Sequence, residues 1–395
     1  MCISFVRTLV IIGAAALSVL GPRAWAQETI KIGIVGQYSG PFAGSGEGFR
    51  QGVEAYLARH GNTVGGRKVE VIYRDSAGAD PSRAKRLAEE LLVKDKVSIL
   101  AGFMLTPEVA ATASVVNESK TPLLIFNATT PALLGMSPYF LRMGINQAAV
   151  AELGAIYARQ NGKKRAYVAV ADFATGHVTE QAYIAKFKAE GGEIVGQDRI
   201  PLNTVDFSSF AERIANANPD TLEVFIVPGA PAVAFIKALA ARGLMDKMLV
   251  TGVGEAEDSD LNLNLFDDSV IGFKSILNIY SRLNNPENNA LREFLHKKYG
   301  PKVEPTPFSI GAYDGMHIAF KMIESQAGKP FNGGDAVKAM LGYSYLSPRG
   351  PVTIDPVTRE NIQNFYVRQV VKKDGILQNT LVKTFEAVKP PAPAK

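Results

Sequence analysis

Ile30-Lys31-Ile32-Gly33-Ile34-Val35, followed by Ser39-Gly40-Pro41-Phe42-Ala43-Gly44-Ser45-Gly46-Glu47-Gly48, decides how this chain folds. The first run is short, apolar and β-branched, which reads as a buried strand. The second is a glycine-rich turn that opens a helix from about Glu47 to Arg59. The unit then repeats. Lys68 to Tyr73 reads as a strand, and Pro81 to Lys94 as a helix with Asp80 as its cap. Val97 to Ala101, a helix from Pro107, and Pro122 to Ile125 continue the alternation. Strand and helix in turn predict an α/β fold, a parallel sheet wrapped by helices.

The rhythm restarts downstream with strands at Ala166–Ala171, Glu193–Ile200, Leu222–Val227 and Met248–Val250. Helices at Thr179–Glu190, Phe207–Ala217 and Ala232–Arg242 separate them. Two successive α/β sheets imply two lobes. The last third mixes helices (Pro286–Tyr299, Pro307–Ser325, Asp335–Leu341) with strands (Val352–Ile354, Phe365–Val371, Leu377–Val382). It is too short for a third domain of equal size, so it is expected to complete the first two. Val388–Lys395, with three prolines, reads as a disordered tail.

The N-terminus carries Arg7, an uncharged apolar run from Thr8 to Leu20, the breakers Gly21 and Pro22, and Ala24-Trp25-Ala26. That order reads as a cleaved secretory signal over residues 1–26, its apolar core shorter than the ~18 residues of a spanning helix. The one cysteine, Cys2, leaves with it, so disulfides, thiolate metal sites and a cysteine nucleophile are excluded. The net charge of +5 falls by two when Arg7 and Arg23 leave. No basic stripe with interleaved aromatics remains, which argues against nucleic-acid binding.

Familiar catalytic and metal signatures fail on spacing. Gly44 and Gly46 begin a dinucleotide fingerprint, but Phe49 stands at its third glycine. His60, His177, His296 and His317 lie far apart without ligand spacing. Asp258–Asn264 starts like a calcium loop, with Leu263 where the turn glycine belongs. No nucleophile elbow occurs. Neither a cofactor, a metal nor a catalytic residue is expected.

Two segments stand out. Gly102-Phe103-Met104-Leu105-Thr106-Pro107 and Phe126-Asn127-Ala128-Thr129-Thr130-Pro131 each end a strand and lead into a helical start. Both put hydroxyls and free amides at a helix N-terminus on the carboxyl side of a sheet, where anionic ligands bind. Thr and Asn suit ordinary helix caps equally well.

Taken in order, these pieces resemble the leucine/isoleucine/valine-binding protein family, the periplasmic receptors of branched-chain-amino-acid-type ABC importers. The resemblance rests on Ile30–Ile34 leading to Ser39-Gly40-Pro41, Gly65–Glu70 leading to Asp75, and Asp80–Ala84. Thr130-Pro131 before Tyr139–Arg142, Asp206-Phe207 and Tyr313-Asp314-Gly315 extend it over the mature chain. It implies two Rossmann-like lobes joined by three crossovers, near Gly144–Ala148, Ile276–Tyr280 and Pro348–Pro351, closing on a ligand by a hinge. The implied first lobe is 27–145 plus 277–348, and the second 146–276 plus 349–387, followed by a tail at 388–395.

The resemblance also implies site residues. A hydroxyl at Thr106, with backbone and hydroxyl groups of Asn127, Ala128 and Thr129, would hold a ligand carboxylate, and Ser45 would leave room near its tail. Amino-acid-binding members close on the ammonium with tyrosines and a glutamate. Here one tyrosine position is Phe173, another falls at Pro228 or Gly229, and the glutamate falls at Gly254 with Glu255 beside it. Unless Glu255 pairs with it, a buried ammonium would cost several kcal/mol. Phe173 and Phe103 are either apolar walls or plain core. Ser347-Pro348-Arg349-Gly350-Pro351 resembles soil-bacterial relatives associated with aromatic acids.

The expected function is therefore periplasmic capture of an aromatic or other apolar-tailed carboxylate, without catalysis. The expected partners are an inner-membrane permease and its ATPase subunits, and the protein is expected to be a monomer. Branched-chain amino acids are the second ligand class, and a periplasmic sensor the second functional class.

Overall fold

The computed structural model describes residues 29–40, 42–227, 229–253 and 263–391. The expected signal at 1–26, Pro228, Glu255 and residues 258–262 of the expected acidic loop lie outside them.

The opening strand β1 (Ile30–Gly36) is the centre of the first sheet. It is followed by α1 (Ala43–His60), β2 (Thr63–Val64), β3 (Arg67–Asp75), α2 (Pro81–Val93), β4 (Ile99–Gly102), α3 (Thr106–Ser119), β5 (Leu123–Ile125) and β6 (Phe140–Arg142). The sheet order is β2-β3-β1-β4-β5-β6, parallel except at β2. Because β1 lies between β3 and β4, the winding reverses there. A crevice opens at the carboxyl ends of β1 and β4.

The second lobe repeats the plan. It contains α4 (Gln147–Gln160), β7 (Arg165–Ala171), α5 (Ala174–Ala189), β8 (Glu193–Ile200), α6 (Ser208–Ala217) and β9 (Thr221–Phe225). It continues with α7 (Ala230–Ala240), α8 (Leu244–Lys247), β10 (Leu249–Val253) and β11 (Lys274–Leu277). Its parallel core runs β11-β10-β9-β7-β8, so the reversal falls between β7 and β9.

The chain then returns to the first lobe as α9 (Pro286–Tyr299), α10 (Pro307–Ser325) and α11 (Gly333–Met340). Helix α10 lies tightly on α1: a Cβ added at Gly52 would come within 2.0 Å of the Ser309 carbonyl. The chain ends in β12 (Ser344–Ser347), β13 (Gly350–Ile354), β14 (Asn361–Lys373) and β15 (Ile376–Val388), all antiparallel additions to the second sheet.

Two boundaries differ from expectation. Pro348–Pro351 does not carry the third crossing between sheets, because Pro348 and Arg349 form the turn of the β12–β13 hairpin. Strand pairing moves that crossing to residues 341–343, after α11. The turn itself still seats on the first lobe: Asn285 and Asn288 donate to the Pro348 carbonyl at 3.2 and 3.0 Å. The tail also starts later than expected. Val388 ends β15, Lys389 pairs with Asp355 at 2.7 Å, and Pro390 is buried.

One core residue sets a pH dependence. Glu223 on β9 is buried and accepts a hydrogen bond from the Thr251 hydroxyl at 2.7 Å. Gly154 on α4 leaves the space: a Cβ there would meet Glu223 Oε2 at 2.9 Å. Burial pushes the Glu223 carboxyl up to about 8. The unfolded chain ionises it above about pH 4.5, whereas the folded protein keeps it protonated. Its cost to stability therefore grows from about pH 4.5 to about pH 8. Glu223→Gln is expected to raise the melting temperature at pH 8 and to change it little at pH 5, by paired thermal melts.

Candidate functional site

Both crevices belong to helices that begin directly after the strands at the reversal points. Helix α1 follows β1, α3 follows β4, α5 follows β7 and α7 follows β9. Their N-cap residues are Phe42, Leu105, Phe173 and Gly229, and none supplies a side-chain cap. By contrast, Asp80, Asn285, Thr306 and Asn332 cap α2, α9, α10 and α11 with side-chain oxygens. At α1, α5 and α7 the free amides carry the positive end of the helix dipole toward the crevices, while at α3 the Glu108 carboxylate accepts the Leu105 N–H at 3.2 Å. Ordinary capping therefore does not explain Thr106, which is the first residue inside α3 rather than its cap.

The first lobe builds a hydroxyl-rich floor. The Thr106 and Thr130 hydroxyls lie 2.8 Å apart, joining the two loops singled out in the sequence. The Asn127 side-chain amide donates to the Met104 carbonyl at 3.3 Å. The backbone amides of Asn127, Ala128 and Thr129 have no partner among the described residues. Their carbonyls face the other way. Arg142 donates to the Ala128 carbonyl and, at 2.7 Å, to that of Thr130. Gln147 N donates to the Thr129 carbonyl at 3.1 Å. This leaves a row of free donors beside two hydroxyls, an arrangement suited to a carboxylate.

The second lobe offers an apolar wall. Phe173 stacks on Phe225, with ring centroids 5.8 Å apart and planes inclined by 29°. One ring follows β7 and the other ends β9, so the pair marks that lobe's reversal point. Gln147 links the two halves: its side chain donates to Thr179 of α5 at 2.8 Å while its backbone holds the Thr129 loop. Met104 and Phe173 both pack on the one apolar cluster that spans the lobes.

Ser45 lies in the first turn of α1, which starts four residues earlier than expected, and its hydroxyl donates to the Phe42 carbonyl at 2.7 Å. Phe103 is fully buried in the first-lobe core. Its backbone has φ 61°, left-handed for a bulky residue, and lets its N–H reach the Val35 carbonyl at 2.8 Å. The ring points into the core, while three residues on the Thr106 hydroxyl meets that of Thr130. Gly229 adopts φ 92° at the start of α7, a conformation that favours glycine. Phe225 and Gln147 went unrecognised in the sequence. Phe225 reads there as one more strand residue, and its stacking on Phe173 depends on β9 ending beside the end of β7.

Asp75 does not await a ribose. Its carboxylate accepts Tyr38 N at 2.9 Å, the Ser39 hydroxyl at 2.6 Å and Ala77 N at 2.8 Å, tying the loops after β1 and β3. Among the described residues no cluster of three potential metal ligands occurs.

The sequence pattern of the periplasmic binding protein family matches residues 29–375. The chain belongs to that family. The match bears out the resemblance and the two-lobed α/β fold. A Leu/Ile/Val-binding protein homolog 6 from Brucella melitensis is 35% identical over 381 residues, covering 96% of this chain and 97% of the relative. Among solved periplasmic binding proteins, an ABC-transporter solute-binding protein from Rhodopseudomonas palustris HaA2 is 37% identical with a TM-score of 0.85. The likeness covers 91% of this chain and 98% of that one, which was solved with p-hydroxybenzoic acid. A counterpart from R. palustris BisB5, solved with 3,4-dihydroxybenzoic acid, is 35% identical with a TM-score of 0.83, covering 92% and 99%. Family and relatives are solute-binding proteins.

Proposed function

We propose that this periplasmic binding protein captures an aromatic carboxylate for an ABC importer, closing its lobes around the acid without converting it. The observation that carries the reading is the pairing of opposite chemistries: free loop amides and hydroxyls on one lobe, stacked phenylalanines on the other. The carboxylate would sit against Thr106, Thr130 and the amides of Asn127, Ala128 and Thr129. The ring would lie on Phe173 and Phe225, whose quadrupoles favour offset or edge contacts with another arene. The N-terminus of α7 at Gly229 favours a ring substituent that accepts hydrogen bonds. The hydroxybenzoate relatives from R. palustris support this ligand class.

On this reading the leader 1–26 directs export. The protein works as a monomer, mostly open until ligand stabilises closure, and delivers to a permease served by ATPase subunits. The name of the B. melitensis relative favours a second reading, a branched-chain amino acid whose ammonium would need Glu255.

A thermal-shift panel on refolded mature protein separates the two. Refolding removes any ligand carried through purification. A micromolar ligand at millimolar concentration stabilises by about 4 kcal/mol. Benzoate-type acids are expected to raise the melting temperature by several degrees and leucine to leave it unchanged. Stabilisation by leucine alone would overturn the aromatic reading.

A further inference from the structure

Glu108 sits in the first turn of α3, the helix whose N-terminus would receive the ligand carboxylate, and is only 1% exposed. One carboxyl oxygen accepts Leu105 N at 3.2 Å, the residue just before Thr106. The other accepts the Gln37 side-chain amide at 3.2 Å. Gln37 directly follows β1, is fully buried, and its own Oε1 has no partner among the described residues. No ion pair reaches Glu108 among the described residues, so a charge there is held by neutral dipoles alone.

A bound carboxylate at Thr106 would place a second anion at the same helix end. Like charges sharing one site disfavour each other's ionised form. A helix dipole worth about half a charge does not satisfy both. We propose that Glu108 takes up a proton from solvent as the ligand carboxylate docks, so that capture is coupled to pH. The proposal rests on the carboxylate-at-Thr106 part of the function assigned above. The cluster is built to hold the neutral acid: its carbonyl oxygen keeps the Leu105 hydrogen bond. With the Gln37 amide turned over, Oε1 accepts the new O–H. Burial already raises the Glu108 carboxyl above the usual range, opposed by hydrogen bonds from Leu105, Gln37, Ser76 and Met104.

The sign follows from linkage. A group whose pKa rises on binding takes up a proton, and affinity falls as pH climbs through its free and bound values. Next to Ser76, which bonds Glu108, stands Asp75, engaged by Tyr38, Ser39 and Ala77, and Arg83 of α2 holds the Asp75 carbonyl. Across the crevice, His177 contacts Asp172 at 2.7 Å at the start of α5.

Isothermal titration of the mature protein with benzoate, in two buffers of different ionisation enthalpy, reads the proton directly. Dissociation constants from about pH 5.5 to about pH 9 keep the ligand ionised throughout. Wild type is expected to take up a fraction of a proton, with affinity falling by up to about tenfold per pH unit over the steepest stretch. Glu108→Gln, which keeps both hydrogen bonds, is expected to bind with no uptake and a flat profile. Absence of net uptake in wild type overturns the proposal. So does a Glu108→Gln profile matching wild type, which would assign the proton to another group. Should that variant not fold, the two-buffer experiment on wild type decides alone. If benzoate gives no heat at any pH, the aromatic reading fails by itself. Leucine, whose carboxylate would use the same helix end, then replaces it as probe, with uptake supporting the coupling and none overturning it.

Discussion

Replacing Arg142 by methionine is expected to destabilise the protein by about 3–5 kcal/mol, the cost of leaving a buried carboxylate without its partner. Arg142 ends β6 and is fully buried. Its Nε lies 3.0 Å from Glu360, which belongs to the segment between β13 and β14 of the second lobe. Asn146 donates to the other Glu360 oxygen at 3.0 Å, and Asn361 donates to the Arg142 carbonyl at 2.7 Å. The network therefore joins both lobes at the first crossing. The double variant Arg142→Met/Glu360→Met leaves no charge stranded and is expected to recover much of the loss. Urea unfolding followed by circular dichroism, compared at equal slope, measures both.

Stability and binding should separate in that series. Arg142 also pins the carbonyls of Ala128 and Thr130, which aims the amides of the same loop into the crevice. The double variant is expected to stay weakened in ligand affinity although its stability returns. Recovery of both together would show that Arg142 serves stability alone.

Truncating Phe173 to alanine is expected to weaken binding of benzoate-type acids by about 2 kcal/mol, roughly thirtyfold. The ring is lost as a contact, and Phe225, stacked against it at 5.8 Å, loses its support. Phe225→Ala should act in the same direction, and the two effects should not add, because each ring positions the other. Phe173→Tyr keeps the ring and is expected to retain most of the affinity. Unchanged affinity in Phe173→Ala, read by titration calorimetry, would place the ligand ring elsewhere.

The sequence carried the architecture because periodicity and local chemistry report directly on it. Short apolar runs alternating with amphipathic segments specify strand, helix and their order, and Asp80 caps α2 as its side chain predicts. Element ends were less legible. Ala43 to Gly46 read as loop, yet α1 takes them up, with Gly46 so close to the Gln37 carbonyl that a Cβ would lie 2.3 Å from it. That approach is a tertiary contact, and glycine's low helix propensity gave no hint of it. The β12–β13 hairpin likewise turns on Pro348 and Arg349, whose partners Asn288, Asp314 and Met143 lie far away in sequence.

The site divides along the same line. Thr106, Thr129 and Phe173 were legible because each stands next to a strand end, and strand ends are visible in sequence. What they do was not. Phe103 and Phe173 look alike in the chain, but a left-handed turn sends the first ring into the core. By itself, the sequence determined two α/β lobes, the loops at their strand ends and the hydroxyls on them, because these follow from neighbours along the chain. Only the tertiary structure decided which helix ends lack caps and which phenylalanine has a partner ring. It also set the burial of Glu108 and Glu223 and the ion pair holding the lobes together. Burial and the meeting of distant charges are properties of packing, and packing joins residues that the sequence keeps apart.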